Sequence, residues 1–359
     1  MRKILFIAAH RKDRAPNQRF RFEQYFSFLE ANGFQCDLSP LISAADDRIF
    51  YSKGNYARKI LIGIRAWWRR YRDTKRLHAY DIVFVAREAF MTGSTFFEKK
   101  FRSSRARMVY DFDDAIWIDV VSANNKALGW LKDAGKTARI IAMADLVFAG
   151  NAYLAGYAKK FNSNVAVIPT TIDTEHYRPG PRRENGPVVI GWSGSVSTIE
   201  HFEHAVPALQ KIKERYGSRI SIKVIGDGQY KSEALGILGR PWNFSSELHD
   251  LQEIDIGIMP LPDDEWARGK CGLKGLQYMA LEIPTIMSPV GVNSEIIQDG
   301  INGFLADSEE AWIEKLARLI EQPSLRQRIG AAGRETVVQH YSVISQQSRY
   351  LQYFNALLR

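Results

Sequence analysis

Three carboxylates lie within four residues where an apolar stretch ends, in the sequence VYDFDDAIW at positions 109–117. Asp111 and Asp113 have the Asp-x-Asp spacing with which some enzymes hold a divalent cation. The adjacent Asp113 and Asp114 project differently at a strand end, and no His or further acid cluster follows to complete an oxygen-rich shell. We therefore predict that Asp113 and Asp114 bind ligand hydroxyl groups, and a metal site is the less favoured interpretation. Helix capping by one of the two is the alternative.

A basic, glycine-containing loop runs into a predicted helix in the sequence RGKCGLKGLQYMALEIP, which begins at Arg268. The N-terminus of a helix presents free N–H groups and the positive end of the helix dipole, and both favour anions. Lys270 and Lys274 flank this helix start and add point charges. The pattern predicts a diphosphate site, with Arg268 as a weaker third cation. The alternative is that the lysines belong to a solvated face.

Two shorter glycine loops each follow a predicted strand, at GWSGS (191–195) and GDG (226–228). Glycine allows backbone N–H groups to approach a ligand. The candidate residues in these loops are Gly194, Ser195, Gly226 and Gly228. A glycine after a strand often marks only a turn, so these loops are weak evidence without the basic loop.

The elements that position these residues follow a βα pattern, because apolar, β-branched runs alternate with longer amphipathic stretches. In the first half, strands are predicted at KILFIAA, FQCDLS, DIVFVA, RMVYDF, LVFAG and VAVIP, with helices around 19–32 and 135–144. In the second half, strands are predicted at PVVIGWSG, SIKVIGDG, DIGIMPL, PTIMSP and GFLA. The fold class is therefore α/β, with two Rossmann-like domains.

Domain boundaries follow from a stretch rich in proline, glycine and polar residues that lacks periodicity. We predict an N-terminal domain at 1–170, a linker at 171–186 and a C-terminal domain at 187–341. A final helix at 342–359 follows the second domain and is expected to return toward the first. Ligands of open parallel sheets bind at the carboxyl ends of the strands, so we expect a central cleft that both domains face.

Charge is distributed unevenly over the 359 residues, whose net charge is +9. Residues 1–168 contain 29 Lys and Arg against 16 Asp and Glu, whereas residues 169–359 contain 20 against 24. This asymmetry suggests an anionic partner for the first half. The two cysteines, Cys36 and Cys271, are too few for a disulfide framework, and the N-terminal apolar stretch is too short for a signal peptide. We expect a cytoplasmic protein.

The segment 56–80 concentrates both basic and aromatic residues. On a helix, Ile60, Ile64, Trp67 and Tyr71 form one stripe that Leu61 and Trp68 widen. The basic residues that border this stripe are Arg58, Arg65, Arg69, Arg72 and Arg76. A basic amphipathic helix with tryptophans is typical of a membrane interface. The alternative is that the Trp/Ile face packs on the domain and the arginines are merely solvated.

These motifs together resemble the retaining glycosyltransferases of the GT-B fold, family 4, also described as glycosyl transferases group 1. The family pattern E-G-F-G-L-x-x-x-E-A-M-A-x-G-x-P, followed by G-G-x-x-E and D-G-x-x-G, is similar to GKCGLKGLQYMALEIP, VGVNSE and DGINGFL here. The segment ADLVFAGNAYLAGYAKKFNSNVAVIPTTIDTEHYRP is similar to the family's last N-domain strands and linker. The resemblance implies donor-binding roles for Cys271, Gly272, Leu273, Gln277 and Glu295.

The chain departs from the family pattern at three charged positions. The first family glutamate falls at Gly269, and the second, which bonds the nucleotide ribose, falls at Gln277. The Arg or Lys that normally follows the GxxG strand is Ser195. We therefore predict that Lys270 and Lys274 replace it in neutralising the diphosphate.

In the first domain, the resemblance places Asp113 on a family histidine near the donor sugar and Asp114 on the following aspartate. We count Asp113 with Lys270 and Lys274 as candidate catalytic residues. The polar loop HRKDRAPNQRFR leads into a helix starting near Arg19. The candidate residues on the acceptor side are His10, Arg19, Arg21, Arg87, Glu88 and Asp114. Arg87 and Glu88 have the alternative of pairing with each other.

The resemblance implies a hexosyltransferase-type enzyme that moves a sugar from a nucleoside-diphosphate sugar to an acceptor hydroxyl with retention and without a metal or other cofactor. The expected partners are the nucleotide sugar and a sugar or lipid-linked glycan, in cell-surface polysaccharide or glycolipid assembly, with an anionic membrane surface contacted through 56–80. A sugar-nucleotide epimerase of the same fold is the alternative. A nucleic-acid binder is more remote, because no known recognition signature accompanies the charge.

Overall fold

The computed structural model describes residues 1–52, 54–118, 133–181 and 185–359. The chain forms two compact units: unit 1 comprises Met1–Pro169 with Gln347–Arg359, and unit 2 comprises Thr170–Gln346. Most of the predicted linker thus belongs to unit 2, although residues 182–184 of that linker lie outside the described residues. The division within the C-terminal segment falls at 346/347, whereas the sequence placed it at 341/342.

Unit 1 is built on a six-stranded, all-parallel sheet. Its strands are β1 (Arg2–Ala8), β2 (Phe34–Pro40), β3 (Ile82–Ala86), β4 (Arg107–Phe112), β5 (Leu146–Ala149) and β6 (Val165–Val167). The spatial order is β2-β1-β3-β4-β5-β6, so the order reverses at β1 and β3. The central strand β3 is buried along its whole length, as its continuous apolar sequence predicts. All six strands predicted for this half are present.

The helices of unit 1 include one departure from prediction. They are α1 (Pro16–Arg19), α2 (Phe26–Ala31), α3 (Ala44–Tyr51), α4 (Tyr56–Arg76), α5 (Phe96–Arg102), α6 (Gly135–Met143) and α7 (Ala152–Ala158). The single helix predicted around 19–32 is wrong, because this segment is divided into α1, a 3-10 turn at Glu23–Tyr25 and α2. Arg19 ends α1 instead of starting a helix.

The orientation of α4 bears on the alternative that the Trp/Ile stripe of 56–80 packs on the domain. Its buried residues are Ile62, Ala66, Arg70 and Asp73, and its predicted Trp/Ile stripe is exposed. The interpretation that this stripe packs on the domain is therefore wrong. In the part of the chain that the structure describes, no helix is both long and apolar enough to cross a membrane.

Aromatic side chains dominate the core of unit 1 and include residues from the end of the chain. Phe6 stacks on Phe22 with ring centroids 5.2 Å apart. Tyr350 stacks on Tyr25 at 4.3 Å, and Phe354 lies 6.1 Å from Phe148. Such large buried rings contribute much of the apolar area removed from water. The last helix is therefore part of the core of unit 1.

Unit 2 contains a second six-stranded parallel sheet and a two-stranded hairpin. Its strands are β7 (Val188–Ser193), β8 (Ile220–Gly226), β9 (Lys231–Ser232), β10 (Ile237–Leu238), β11 (Arg240–Pro241), β12 (Ile256–Met259), β13 (Thr285–Met287) and β14 (Phe304–Leu305). The sheet order is β11-β8-β7-β12-β13-β14, and β9 pairs with β10. The five predicted strands form, and the three short ones were not anticipated because two residues show no periodicity.

The helices of unit 2 follow its strands in βα fashion. They are α8 (Ile199–Glu203), α9 (Val206–Tyr216), α10 (Glu247–Gln252), α11 (Glu265–Arg268), α12 (Leu273–Ala280), α13 (Asn293–Ile296), α14 (Glu309–Glu321) and α15 (Pro323–Thr336), followed by α16 (Val343–Leu357), which ends in unit 1. Trp192, Phe202 and Trp312 belong to the core between the sheet and these helices. The carboxyl ends of β7 and β8 thus lead into the loops that carry the candidate site.

Candidate functional site

Two lysines flank the N-terminus of α12 and rest on indole rings. The Nζ of Lys270 lies 4.2 Å from the ring centroid of Trp266, and the Nζ of Lys274 lies 5.3 Å from that of Trp192. Both lysines are half-buried. The contact of a cation with an aromatic face is favourable and orients the ammonium group. This arrangement concentrates positive charge beside the free N–H groups of the helix start.

His201, which sequence reasoning missed, belongs to the same basic cluster. Its side chain is buried on α8, four per cent exposed. Burial, and then the charges of Lys274 and Lys270, lower the pKa of His201 to about 4. The imidazole is therefore neutral at pH 7 and can donate or accept a hydrogen bond. No spacing motif marks this residue, although it lies on the helix that follows the predicted GWSGS loop.

The two predicted glycine loops contact each other, and this contact explains their glycines. The N–H of Gly194 donates to the carbonyl oxygen of Ile225 at 2.9 Å. A Cβ on Gly226, whose φ is +136°, would lie 2.3 Å from the carbonyl oxygen of Gly194. A Cβ on Gly194 would lie 2.2 Å from the ring of Trp192, and one on Gly228 would lie 3.1 Å from Pro241. These glycines thus allow close packing of the loops that border the basic cluster.

Ser195 begins the short 3-10 turn Val196–Thr198 and is exposed. Its backbone N–H donates to Oγ1 of Thr198 at 3.0 Å, and its side chain accepts from the backbone N–H of Thr198. This reciprocal contact is a capping box, which holds the loop in place. The structure therefore gives Ser195 a local structural role at the edge of the candidate site.

The start of α12 depends on a residue with a positive φ. Gly272 caps the helix at φ +70°, and a Cβ there would lie 2.4 Å from Cδ1 of Ile296. Cys271 and Leu273, on either side, are half-buried. Glu295, in the first turn of α13, is exposed. Its carboxylate therefore remains accessible for the hydroxyl-binding role predicted from the sequence.

Gln277 occupies a different environment from the one predicted. It is five per cent exposed, and its Nε2 donates to the hydroxyl of Tyr177 at 3.3 Å. That hydroxyl donates in turn to Glu247 at 2.8 Å. The predicted contact of Gln277 with ribose hydroxyls is not supported, because a buried internal network already engages its amide. The helical spacing that aligned Gln277 with the family glutamate does not show this contact.

In unit 1, Arg87 holds the two adjacent aspartates. Its Nη2 lies 2.7 Å from Oδ1 of Asp113 and 3.1 Å from Oδ2 of Asp114, and its Nε donates to Asp113 at 2.8 Å. The alternative pairing of Arg87 with Glu88 is wrong, because Glu88 accepts instead from Lys136 at 2.7 Å. A guanidinium between two carboxylates offsets their repulsion.

Asp111 and Arg21 form an internal ion pair rather than a ligand site. Both residues are one per cent exposed, and Nη2 of Arg21 lies 2.5 Å from Oδ1 of Asp111. Arg21 also donates to the carbonyl oxygen of Ile168 and accepts, at its own carbonyl, from the hydroxyl of Tyr350. The predicted phosphate contact of Arg21 stays a prediction, which this burial and the internal partners of the guanidinium do not favour. The sequence of the polar loop HRKDRAPNQRFR does not show which of its arginines is buried.

Arg19 is also largely covered, with an exposed fraction of eight per cent, and its guanidinium carbon lies 4.9 Å from the ring centroid of Phe20. This burial does not favour the predicted phosphate contact. Among the described residues, no group of three or more His, Cys, Asp and Glu side chains is arranged to hold a metal ion.

His10 lies at the carboxyl end of β1 among charged residues that the sequence did not connect. Its Nε2 lies 3.1 Å from the hydroxyl of Tyr51. Arg11 and Arg14 each lie 2.7 Å from Oδ2 of Asp47. Burial, and then the charge of Arg14, lower the pKa of His10 to about 4. His10 is thus neutral at pH 7 and available for hydrogen bonding.

A comparison with known protein families finds a match for the second unit. Residues 187–322 match the family model described as "Glycosyl transferases group 1". Over these residues, unit 2 is similar to the glycosyl transferases group 1 domain. This match covers β7 to α14 and therefore includes the basic cluster, both glycine loops and Glu295. The coarser part of the resemblance stated from the sequence is thereby confirmed for this unit.

Two curated relatives match part of the chain. One is named "Putative glycosyltransferase EpsD", from Bacillus subtilis (strain 168), with 25% identity over 189 residues, 46% of this chain and 48% of the relative. The other is D-inositol 3-phosphate glycosyltransferase from Thermobifida fusca (strain YX), with 24% identity over 243 residues, 58% of this chain and 54% of the relative. The chain thus spans about half the length of the curated relatives it matches.

Solved structures match nearly the whole chain. A glycosyltransferase from Rickettsia africae ESF-5 has a TM-score of 0.68 at 14% identity, covering 100% of this chain and 99% of that one. HepE of Anabaena in complex with UDP-glucose has a TM-score of 0.67 at 13% identity, covering 99% and 100%. The fold is therefore that of the GT-B glycosyltransferases, with two Rossmann-like α/β domains. At such identities the likeness concerns the fold alone.

Proposed function

We propose that this chain is a retaining glycosyltransferase that moves a sugar from a nucleoside-diphosphate sugar to an acceptor hydroxyl. The observation that supports it best is the cluster of Lys270, Lys274 and the neutral His201 beside the N-terminus of α12. This cluster lies within the segment that matches the glycosyl transferases group 1 model. The relatives and structural neighbours named above bear glycosyltransferase names, which does not favour the epimerase alternative.

The cluster suits a diphosphate leaving group. During transfer, the bond between the anomeric carbon and the β-phosphate oxygen breaks, and negative charge accumulates on the diphosphate. Two ammonium groups and the N–H groups of α12 stabilise that charge where it develops. Neutral His201, buried beside the lysines, adds no charge of its own at pH 7. Because these groups supply the positive charge themselves, the proposed reaction needs no metal ion.

Retention follows if the acceptor attacks from the face that the diphosphate leaves. The acceptor oxygen forms the new bond to the anomeric carbon, and its proton passes to the departing phosphate oxygen. The lysines hold that phosphate in place for this transfer. We propose Glu295, which is exposed at the start of α13, as a ligand for sugar or ribose hydroxyls.

The acceptor is assigned to unit 1, where Asp113 and Asp114 are held by Arg87. Carboxylates oriented by a guanidinium accept hydrogen bonds from hydroxyl groups in fixed directions. His10 and Glu88 are further candidate contacts. The acceptor class we propose is a sugar or a lipid-linked glycan, in the assembly of cell-surface polysaccharide or glycolipid.

The test begins with a thermal-shift screen of nucleoside diphosphates and their sugars, since a ligand that binds only the folded state raises the melting temperature. The nucleotide sugar that gives the largest shift is then incubated with glycan acceptors, and the anomeric configuration of the product is determined by NMR. Transfer with the donor's configuration supports the proposal. An inverted product contradicts retention, and isomerisation of the donor without any acceptor would replace the transferase by an epimerase.

A further inference from the structure

Helix α4 is fastened to unit 1 through a polar anchor on its inner face. The buried guanidinium of Arg70 donates to the carbonyl oxygens of Ala8 and Ala89, each at 2.7 Å, and pairs with Asp73 at 2.8 Å. Ile62 and Ala66 pack beside it. With about 100° of rotation per residue, these residues occupy one side of the helix. The opposite side therefore faces away from the sheet.

That outer side is apolar. Ile60 is 65% exposed, Ile64 is 50% exposed and Trp68 is 53% exposed. The centre of the Ile60, Ile64 and Trp67 stripe lies roughly 130° around the helix from the centre of the buried face. A surface helix normally buries its apolar stripe and exposes its polar side. In α4 an apolar stripe is exposed, whereas the inner face combines Ile62 and Ala66 with the Arg70 anchor.

The neighbouring helix α5 extends the apolar surface. Phe96, which begins α5, is 42% exposed, and its ring lies 6.4 Å from that of Trp67 in a stacked arrangement. Trp67 also stacks on Tyr71 at 5.4 Å. We name the combined surface the α4–α5 patch. Its exposed members are Tyr56, Ile60, Leu61, Ile64, Trp67, Trp68 and Phe96.

Basic side chains border the α4–α5 patch. Exposed members of this border are Arg58, Arg65, Arg72, Lys75 and Lys100. Arg65 lies 3.3 Å from Asp46, whereas Arg58 and Arg72 form no ion pair with any residue of the described ranges. Arg69, by contrast, is turned toward the backbone and donates to the carbonyl oxygen of Leu41 at 2.6 Å. The border therefore contains cations available to an external anionic surface.

We propose that the α4–α5 patch docks on the surface of a bilayer that contains anionic lipids. Exposed aliphatic and tryptophan side chains enter the boundary between headgroups and acyl chains, while the basic border meets the lipid phosphates. A second copy of this chain fits less well, because a symmetric contact would bring two basic borders together. Nucleic acid fits less well too, because the exposed aliphatic side chains of Ile60, Leu61 and Ile64 lie among the aromatic rings of the patch and offer bases no stacking surface.

The proposal is tested by co-sedimentation of the full chain with phosphatidylcholine vesicles and with vesicles that also contain phosphatidylglycerol. We expect binding to the anionic vesicles, weaker binding when salt is raised, and a blue shift of tryptophan fluorescence on binding. Equal binding to both vesicle types, or binding to neither, overturns the proposal. Concentration-dependent dimers in sedimentation velocity that disappear in the patch variants would instead assign the surface to a second copy.

Paired variants separate the contribution of the basic border from that of the apolar side chains. Arg58→Gln with Arg72→Gln should weaken binding to anionic vesicles about 25-fold, since each basic residue contributes about fivefold near such a surface. Ile64→Ser with Trp68→Ser should weaken it at least about tenfold through loss of buried apolar area. The matched controls in unit 2 are Lys231→Gln with Arg328→Gln, and Leu238→Ser with Ile301→Ser, all at exposed positions.

The control pairs should leave vesicle binding within about twofold of the original chain. Equal losses in patch and control variants would overturn the proposal, as would tight binding to random single-stranded DNA that the patch variants abolish. Far-UV circular dichroism and the thermal melting temperature serve as the folding check for every variant. The proposal does not depend on glycosyl transfer, because vesicle binding is measured without substrate.

Discussion

At the scale of single residues, the basic cluster of unit 2 combines two charged lysines with a histidine that is neutral at pH 7. Lys270 and Lys274 are cations resting on tryptophan rings, whereas His201 beside them is held neutral. A phosphate would thus meet the fixed positive charge of the lysines, to which the buried imidazole adds none at pH 7. Lys231, by contrast, is exposed and lies outside this cluster, so its substitution should leave ligand binding unaffected.

We expect Lys270→Ala and Lys274→Ala each to weaken binding of a nucleoside diphosphate by about 1.5–3 kcal/mol, the range for charge-assisted hydrogen bonds. Isothermal titration calorimetry measures this change, with Lys231→Ala as the control. Unchanged affinity in both variants would relocate the diphosphate away from α12, for example to the loop around Ser195.

Stability should depend on pH through His201. An unfolded histidine has a pKa of about 6.5, whereas the pKa of folded His201 is lowered to about 4. Between these values the unfolded state binds more protons, so the free energy of unfolding should fall as the pH falls from about 6.5 to 4. The full contribution is about 3 kcal/mol, at about 1.4 kcal/mol per unit.

Urea unfolding at a series of pH values tests this prediction. His201→Gln should reduce the slope between about pH 6.5 and 4 relative to the original chain. His10 contributes to the same window, since its pKa is also lowered to about 4. The matched comparison is therefore His10→Gln, and an unaltered slope in the His201 variant would contradict the burial of a neutral imidazole.

At the scale of elements, α4 shows that an amphipathic pattern does not by itself decide which face is buried. Its apolar stripe was visible in the sequence, yet the helix is attached through Arg70 and Asp73. The carbonyl groups at the ends of β1 and after β3 need donors, and the Arg70 guanidinium supplies several at once. The buried hydrogen bonds of Arg70 thus add to the packing of Ile62 and Ala66 in orienting this helix.

We expect Arg70→Met to destabilise the chain by about 1–3 kcal/mol for each buried acceptor that loses its donor, namely the carbonyl oxygens of Ala8 and Ala89. Asp73 also loses this partner but keeps its contacts with Arg76 and Ser39. The exposed Arg72→Met is the control and should change stability by less than about 0.5 kcal/mol. Guanidinium unfolding monitored by circular dichroism measures both. Similar stability of the two variants would show that α4 is not anchored as described.

At the scale of the whole molecule, unit 2 carries the family match, whereas unit 1 carries the paired aspartates and the exposed patch. This division predicts that binding and turnover respond to different residues. Ligand binding should follow changes in the basic cluster of unit 2. Turnover should depend in addition on Asp113 in unit 1, which we assign to the acceptor.

We expect Asp113→Ala to lose most of the transferase turnover while nucleoside-diphosphate affinity stays within about twofold. Turnover by the original chain should survive exhaustive chelation, because the lysines stabilise the leaving group. Steady-state assays with and without EDTA measure both effects, and Asp307→Ala, at an exposed position of unit 2, is the control. Activity abolished by the chelator and restored by Mn²⁺ would contradict the metal-free mechanism.

The sequence by itself determined the α/β class, the eleven main strands and the basic loop before α12, because apolar periodicity and glycine placement are local properties of the chain. It also located the aspartates at the end of β4. Only the tertiary structure decided that Arg21 and Gln277 turn inward, that Arg87 pairs with Asp113 and Asp114, and that His201 joins the lysines. These contacts join residues distant along the chain, and their burial and charge depend on neighbours that no local pattern specifies.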